Sequence, residues 1–99
     1  MRAALICAAA LALAPLAAHS QGDSAGRDLA ASCAMCHGTD GRSVGGYEPL
    51  AGMAKADIVR KMTGFRAGTT PATVMHQIAK GYSDKEIQLI ADYFSAQKR

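Results

Sequence analysis

Apolar residues recur at helical spacing in several stretches of the chain, and no stretch sustains the period-two alternation of a strand. Towards the end, Ile87, Ile90, Ala91 and Phe94 share one helical face, with Tyr93 beside it. Ser83-Asp84-Lys85-Glu86 precedes them as a capping box, and Tyr82 with Ile87 forms the expected hydrophobic staple. From Ala54 to Phe65, Ile58, Val59, Met62 and Phe65 keep the same spacing, with Lys55, Asp57, Arg60 and Lys61 elsewhere around the turn. Gly64 and Gly68 mark the end of that helix. An earlier helix, capped at Asp23 or Ser24, runs through Arg27, Leu29, Ala30 and Ala31 into Cys33 and Cys36 and stops near Gly38. Thr70 as cap and Pro71 as first-turn proline open a short helix through Ile78 that ends at Gly81. Glycines 38, 41, 45, 46 and 52, together with Pro49, predict a loop between the first two helices. The expected class is all-α.

The first twenty positions differ in kind. Arg2 precedes an Ala/Leu-rich apolar run from Ala3 to Ala18, then small residues. This is the layout of a secretory signal, with Ala18-His19-Ser20 as a cleavage site before Gln21. As a membrane anchor the run is marginal, since a span needs ~20 apolar residues and Pro15 interrupts this one. The expectation is therefore a leader over 1–20 and a periplasmic domain over 21–99 with no stable membrane span. At 99 residues and 10.3 kDa the chain holds one small domain at most. Its 49% hydrophobic content is inflated by the leader, so the rest needs a staple beyond its apolar core. The net charge of +3 drops by one without Arg2 and gives no sign of a nucleic-acid partner. Lys55, Arg60, Lys61 and Arg66 read as a solvated helix face, or alternatively as a group that steers an acidic partner.

Of three cysteines, Cys7 lies in the leader, leaving Cys33 and Cys36. A disulfide between them would close a tiny loop and stabilise little. The pair sits in Cys33-Ala34-Met35-Cys36-His37, the Cys-x-x-Cys-His sequence of c-type haem attachment. Two thiols one helical turn apart each add to a haem vinyl group, and the next imidazole then lies under the iron. A thioredoxin-like redox pair calls for strand–helix alternation, which the chain lacks, and a zinc site calls for more ligands than His76 supplies. The expected cofactor is one haem c, covalent through Cys33 and Cys36, with His37 as axial ligand; it would also be the missing staple. For the other axial position the donors are Met53, Met62, Met75 and His76. Met62 repeats the Ile58-Val59-Phe65 face and reads as core, and Met53 follows Pro49 too closely to reach the far side of a haem. Met75 lies far enough along the chain. His76 beside it would make a bis-histidine haem.

Cys33 to His37, the glycine-rich loop with Pro49, and the helix from Ser83 to Phe94 resemble a small class I c-type cytochrome over the whole chain past the leader. More narrowly, Cys33 to Gly41 with Ser43-Val44-Gly45, Met62 to Gly68, and Thr73 to Ser83 are similar to the haem domain of flavocytochrome c sulfide dehydrogenase. Such a resemblance implies helices wrapped around one haem, with the first crossing the last where Ala25 or Gly26 meets Ile90 and Tyr93. It implies that the carbonyl of Pro49 accepts a hydrogen bond from His37 and fixes its tautomer. It also implies a ligand methionine shortly before a hydrophobic-Ser-Asp helix start, the position Met75 holds ahead of Tyr82-Ser83-Asp84. The function implied is electron transfer with no catalytic site of its own, as the cytochrome subunit of a flavoprotein sulfide dehydrogenase. The FAD-bearing flavoprotein would be a separate chain, since no dinucleotide-binding glycine motif is present here. The alternatives are a freestanding carrier between a reductase and an oxidase, and a haem enzyme or gas-binding protein with one axial site open.

Overall fold

Five helices and two short 3-10 turns, with no strand among the described residues, make up the computed structural model, which describes residues 21–99. The leader assigned to 1–20 lies outside the described residues. Helix α1 (Gln21–Ala30) passes without an abrupt bend into a 3-10 turn at Ala31–Cys33 and then into α2 (Ala34–His37). Ala30, Cys33 and Ala34 all keep right-handed helical backbone, so the expected single helix is tightened at the cysteine motif rather than ended there. Asp23 and Ser24 lie within α1 and do not start it, contrary to the sequence expectation. Gly38 terminates the run.

Helix α3 (Lys55–Ala67) buries Ile58 and Met62 on the predicted face. Gly68 takes the left-handed cap position, and its N–H bonds back to the carbonyls of Gly64 and Phe65. Helix α4 (Met75–Ala79) is shorter than the sequence predicts: Pro71 and Ala72 are irregular, Thr73 and Val74 form bends, and the helix starts at Met75. The cause is tertiary. Thr70, the expected cap, instead gives its N–H to the carbonyl of Gly64 at 3.2 Å, and its own carbonyl accepts from the His76 ring. The first helical bonds of α4 then run to Val74. Helix α5 (Asp84–Ser95) opens with the predicted capping box. Glu86 N–H donates to Ser83 Oγ at 3.2 Å and Ser83 N–H to Glu86 Oε1 at 2.9 Å. The bond from the Ser83 backbone holds the Glu86 carboxyl below the usual carboxylate range.

Helix α5 is the centre of the fold. Ile87, Ile90, Ala91 and Phe94 are buried against Ala30 of α1, Ile58 and Met62 of α3 and Ala79 of α4. Helices α1 and α5 pack at Gly26, which is buried. A Cβ at that position would lie 2.6 Å from the Leu89 carbonyl oxygen and 3.4 Å from Tyr93 Cβ, so any larger residue forces the two backbones apart. Of the two small residues named from the sequence, Gly26 is thus the one that makes the approach.

The loop between α2 and α3 is stitched to α5 rather than loose. Leu50 and Ala51 N–H groups both donate to the Gly41 carbonyl, at 2.8 and 3.2 Å, and Gly52 N–H donates to Phe94 O at 2.9 Å. Tyr93 donates its hydroxyl to Asp40, a residue with φ of 53°, and Arg42 Nε donates to the Lys98 carbonyl at 2.7 Å. The hydrogen bond to Asp40 pushes the Tyr93 phenol up from its ordinary range. The predicted loop is therefore a fixed piece of structure. It carries one wall of the site.

Candidate haem site

A cleft of about 390 Å³ opens between α2, the 38–52 loop, α3, and the segment leading into α4. That volume falls in the ordinary range for a bound small molecule, ~300–1,000 Å³. Cys33, Cys36 and His37 line it together, so the whole attachment motif faces one space. The remaining walls are mainly apolar: Leu50, Ile58, Phe65, Val74, Ile78, Ile90 and Phe94 among them. The buried side of the domain is thin, with four of its nine buried apolar residues being alanine, so the cleft is where additional apolar volume fits.

His37 sets the chemistry of the site. Its Nδ1 lies 2.7 Å from the carbonyl oxygen of Glu48 and donates to it. With the proton held on Nδ1, Nε2 keeps its lone pair and is the nitrogen able to bind iron. The accepting carbonyl belongs to Glu48, not to Pro49 as the sequence implies, and Pro49 does not line the cleft. The correction is one peptide unit, and the proline still explains it. A residue before proline is confined to extended backbone, so Pro49 fixes how the Glu48 carbonyl is presented. The Glu48 side chain is held in turn by Lys61 of α3.

Cys33 is half-buried and Cys36 exposed, and neither is in a disulfide. Burial pushes the Cys33 thiol up, the opposite of what an activated dithiol needs.

Met53, Met62 and Met75 all line the cleft, and His76 does not. Met62 is 7% exposed and belongs to the core cluster, as its helical spacing predicts. Met75 is half-buried at the start of α4, at the end of a run of lining residues from Pro71. His76 donates from Nε2 to the Thr70 carbonyl and meets Phe65 edge-on, at 6.3 Å between ring centroids. Its Nε2 proton is thus committed to a backbone oxygen.

The basic face read from α3 is largely neutralised where it stands. Lys55 pairs with Asp92 at 2.6 Å, Arg60 with Asp57 at 3.3 Å, Lys61 with Glu48, and Arg66 with Asp84. All but the Arg60–Asp57 pair tie α3 to α5 or to the loop, and each exposed pair stabilises by ~0–1 kcal/mol. The solvated reading of that face is the one the geometry favours. No helix among the described residues is long and apolar enough to cross a membrane.

An all-helical domain with a Cys-x-x-Cys-His motif facing an apolar cleft, its histidine fixed in the metal-binding tautomer, defines a small c-type haem protein. Comparison with known proteins agrees: residues 24–98 match the family model described as "Cytochrome c", and the chain belongs to that family. Haem c is accordingly bound through Cys33 and Cys36, and the class of function is electron transfer. The chain is 43% identical over 72 residues to the cytochrome subunit of sulfide dehydrogenase from Chlorobaculum tepidum, covering 73% of this chain and 66% of that one. It is 35% identical over 79 residues to cytochrome c-554(548) of Halomonas halodenitrificans, covering 76% of this chain and 95% of that protein. Among solved structures, Acidithiobacillus ferrooxidans cytochrome c4 superposes with a TM-score of 0.69 at 29% identity, covering 80% of this chain and 51% of that chain. The chain therefore spans less than two thirds of the sulfide dehydrogenase subunit and about half of the cytochrome c4.

Proposed function

We propose that residues 21–99 form a monohaem electron carrier, exported by way of the leader 1–20, in which His37 and Met75 fill the two axial positions. The observation that carries this reading is the His37–Glu48 hydrogen bond on a cleft that both cysteines and Met75 also line. Haem c supplies a ferric/ferrous couple. The residues of the chain do the rest. His37 donates through Nδ1 to a backbone carbonyl, which strengthens its other nitrogen as a ligand and fixes the ring's orientation. A thioether from Met75 favours the ferrous state and raises the potential relative to a second histidine. Leu50, Ile58, Phe65, Ile90 and Phe94 exclude water, so little solvent has to reorganise when the charge on the site changes. With His37 and Met75 both holding the haem iron, no position would be left for a substrate, and electrons would pass by outer-sphere transfer.

We further propose that the donor is an FAD-bearing flavoprotein and that the chain is the cytochrome subunit of a sulfide dehydrogenase. The likeness to the Chlorobaculum tepidum subunit supports this. A freestanding carrier is the second reading, favoured by the near-complete coverage of the Halomonas cytochrome. Purification from the native source separates the two. The subunit reading predicts recovery in equal amounts with a flavin-bearing chain, and reduction of the haem when sulfide is added to the complex. Recovery only as a free monomer that sulfide leaves oxidised would overturn it in favour of the carrier.

A further inference from the structure

We infer that His76 is a positioning residue that latches the cleft wall bearing Met75. This rests on the reading of Met75 as an axial ligand. Pro71, Ala72, Thr73, Val74 and Met75 line the cleft in succession, and they have no helical bonds of their own until Val74 accepts from Gln77. What closes the segment is one contact between its ends: His76 Nε2 donates to the Thr70 carbonyl. Both ends of that contact are themselves anchored to α3. Thr69 and Thr70 N–H groups donate to the Gly64 carbonyl, at 2.9 and 3.2 Å. A Cβ on Gly64 would fall 2.0 Å from Thr70 Oγ1, so the wall docks on the helix only because that position is glycine. On the other side, the His76 ring packs edge-on against Phe65, the residue after Gly64 and itself part of the cleft. The segment that presents Met75 is thus a closed ring fixed at Gly64 and Phe65, with His76 as the clasp.

This assigns the histidine next to Met75 a use other than iron ligation. A thioether is a weak, neutral ligand with no second hydrogen bond to orient it. Its hold on iron depends on how firmly the chain presents it. One net hydrogen bond is worth about a fivefold change in such an equilibrium.

The test uses the haem-loaded protein. His76→Phe keeps a ring against Phe65 and removes the donor, whereas His76→Gln keeps a donor. In the ferrous protein, carbon monoxide must displace Met75. His76→Phe is expected to raise the apparent carbon monoxide affinity about fivefold, with His76→Gln returning to within about twofold of the native value. Helical circular dichroism should be native in both. If His76→Phe proves too unstable to study, Gly64→Ala strains the same wall from its other anchor and should raise the affinity in the same direction. Native carbon monoxide affinity in a folded His76→Phe or Gly64→Ala protein would overturn the inference, as would His76→Gln behaving like His76→Phe. Should the far-red band of ferric methionine-ligated haem survive Met75→Leu, the ligand reading itself fails. Loss of the band in Met75→Leu, with carbon monoxide binding indifferent to His76, would remove the latch alone.

Discussion

Cys36→Ala is expected to yield a haem-poor and markedly less stable protein. The substitution removes one of two covalent ties between the chain and the group that completes its core. The described domain buries only Ile58, Met62, Ile87, Ile90 and Phe94 among its larger apolar side chains, alongside four alanines. A domain of this size with so thin an interior sits close to the limit of independent folding. Losing a cross-link of this kind costs ~2–4 kcal/mol by analogy with disulfides, which lowers Tm by roughly 10–20 °C in a domain this small. Haem content per chain, read from the pyridine haemochrome, and the melting temperature both check it. Haem content and Tm equal to those of the native protein would show that the second thioether contributes nothing to the fold.

Phe94→Ala should be nearly as damaging although it touches no covalent bond. Phe94 is 2% exposed, belongs to the core cluster and lines the cleft, so it serves both the fold and the site. It packs edge-on to Tyr93 at 5.2 Å, and its carbonyl receives the N–H of Gly52. A Cβ added at Gly41 would lie 2.9 Å from its ring, a measure of how closely the loop is fitted over it. Truncating a buried phenylalanine costs ~3–5 kcal/mol, a large part of the ~5–15 kcal/mol that holds a domain folded. Denaturant unfolding of the haem-loaded protein is expected to show a loss in that range. A change below about 1 kcal/mol would mean that the cleft collapses to fill the space.

Local interactions made much of this architecture readable in the sequence. The capping box at Ser83 is a bond pattern within four residues, and it stands as predicted. The apolar faces of α3 and α5 follow from spacing alone, and both are buried where expected. Tertiary contacts decided what was misread. Thr70-Pro71 has the local form of a helix start, yet bonds to Gly64 and His76 hold it in a loop, and no pattern near Thr70 announces those partners. Gly64 reads as a helix stop, but it lies inside α3 and serves as a seat for Thr70. Pro49 marks the peptide that fixes His37, but which of its two flanking carbonyls faces the imidazole depends on the path of the loop. The cations of α3 look free in one dimension because three of their four acidic partners come from the 38–52 loop or α5. The cysteine motif suffers no such ambiguity, since thioether attachment itself dictates its spacing.

The central claim, a six-coordinate haem held between His37 and Met75, is tested most directly by the optical spectrum of the ferric protein. Methionine-ligated ferric haem has a weak far-red band that bis-histidine and five-coordinate haem lack. The native protein should show it, and so should Met53→Leu and Met62→Leu, even though both side chains line the same cleft. Met75→Leu should abolish it while the haem stays covalently bound, and the ferrous form of that variant should bind carbon monoxide readily. A far-red band that persists in Met75→Leu, or that is missing from the native protein, would contradict the assignment.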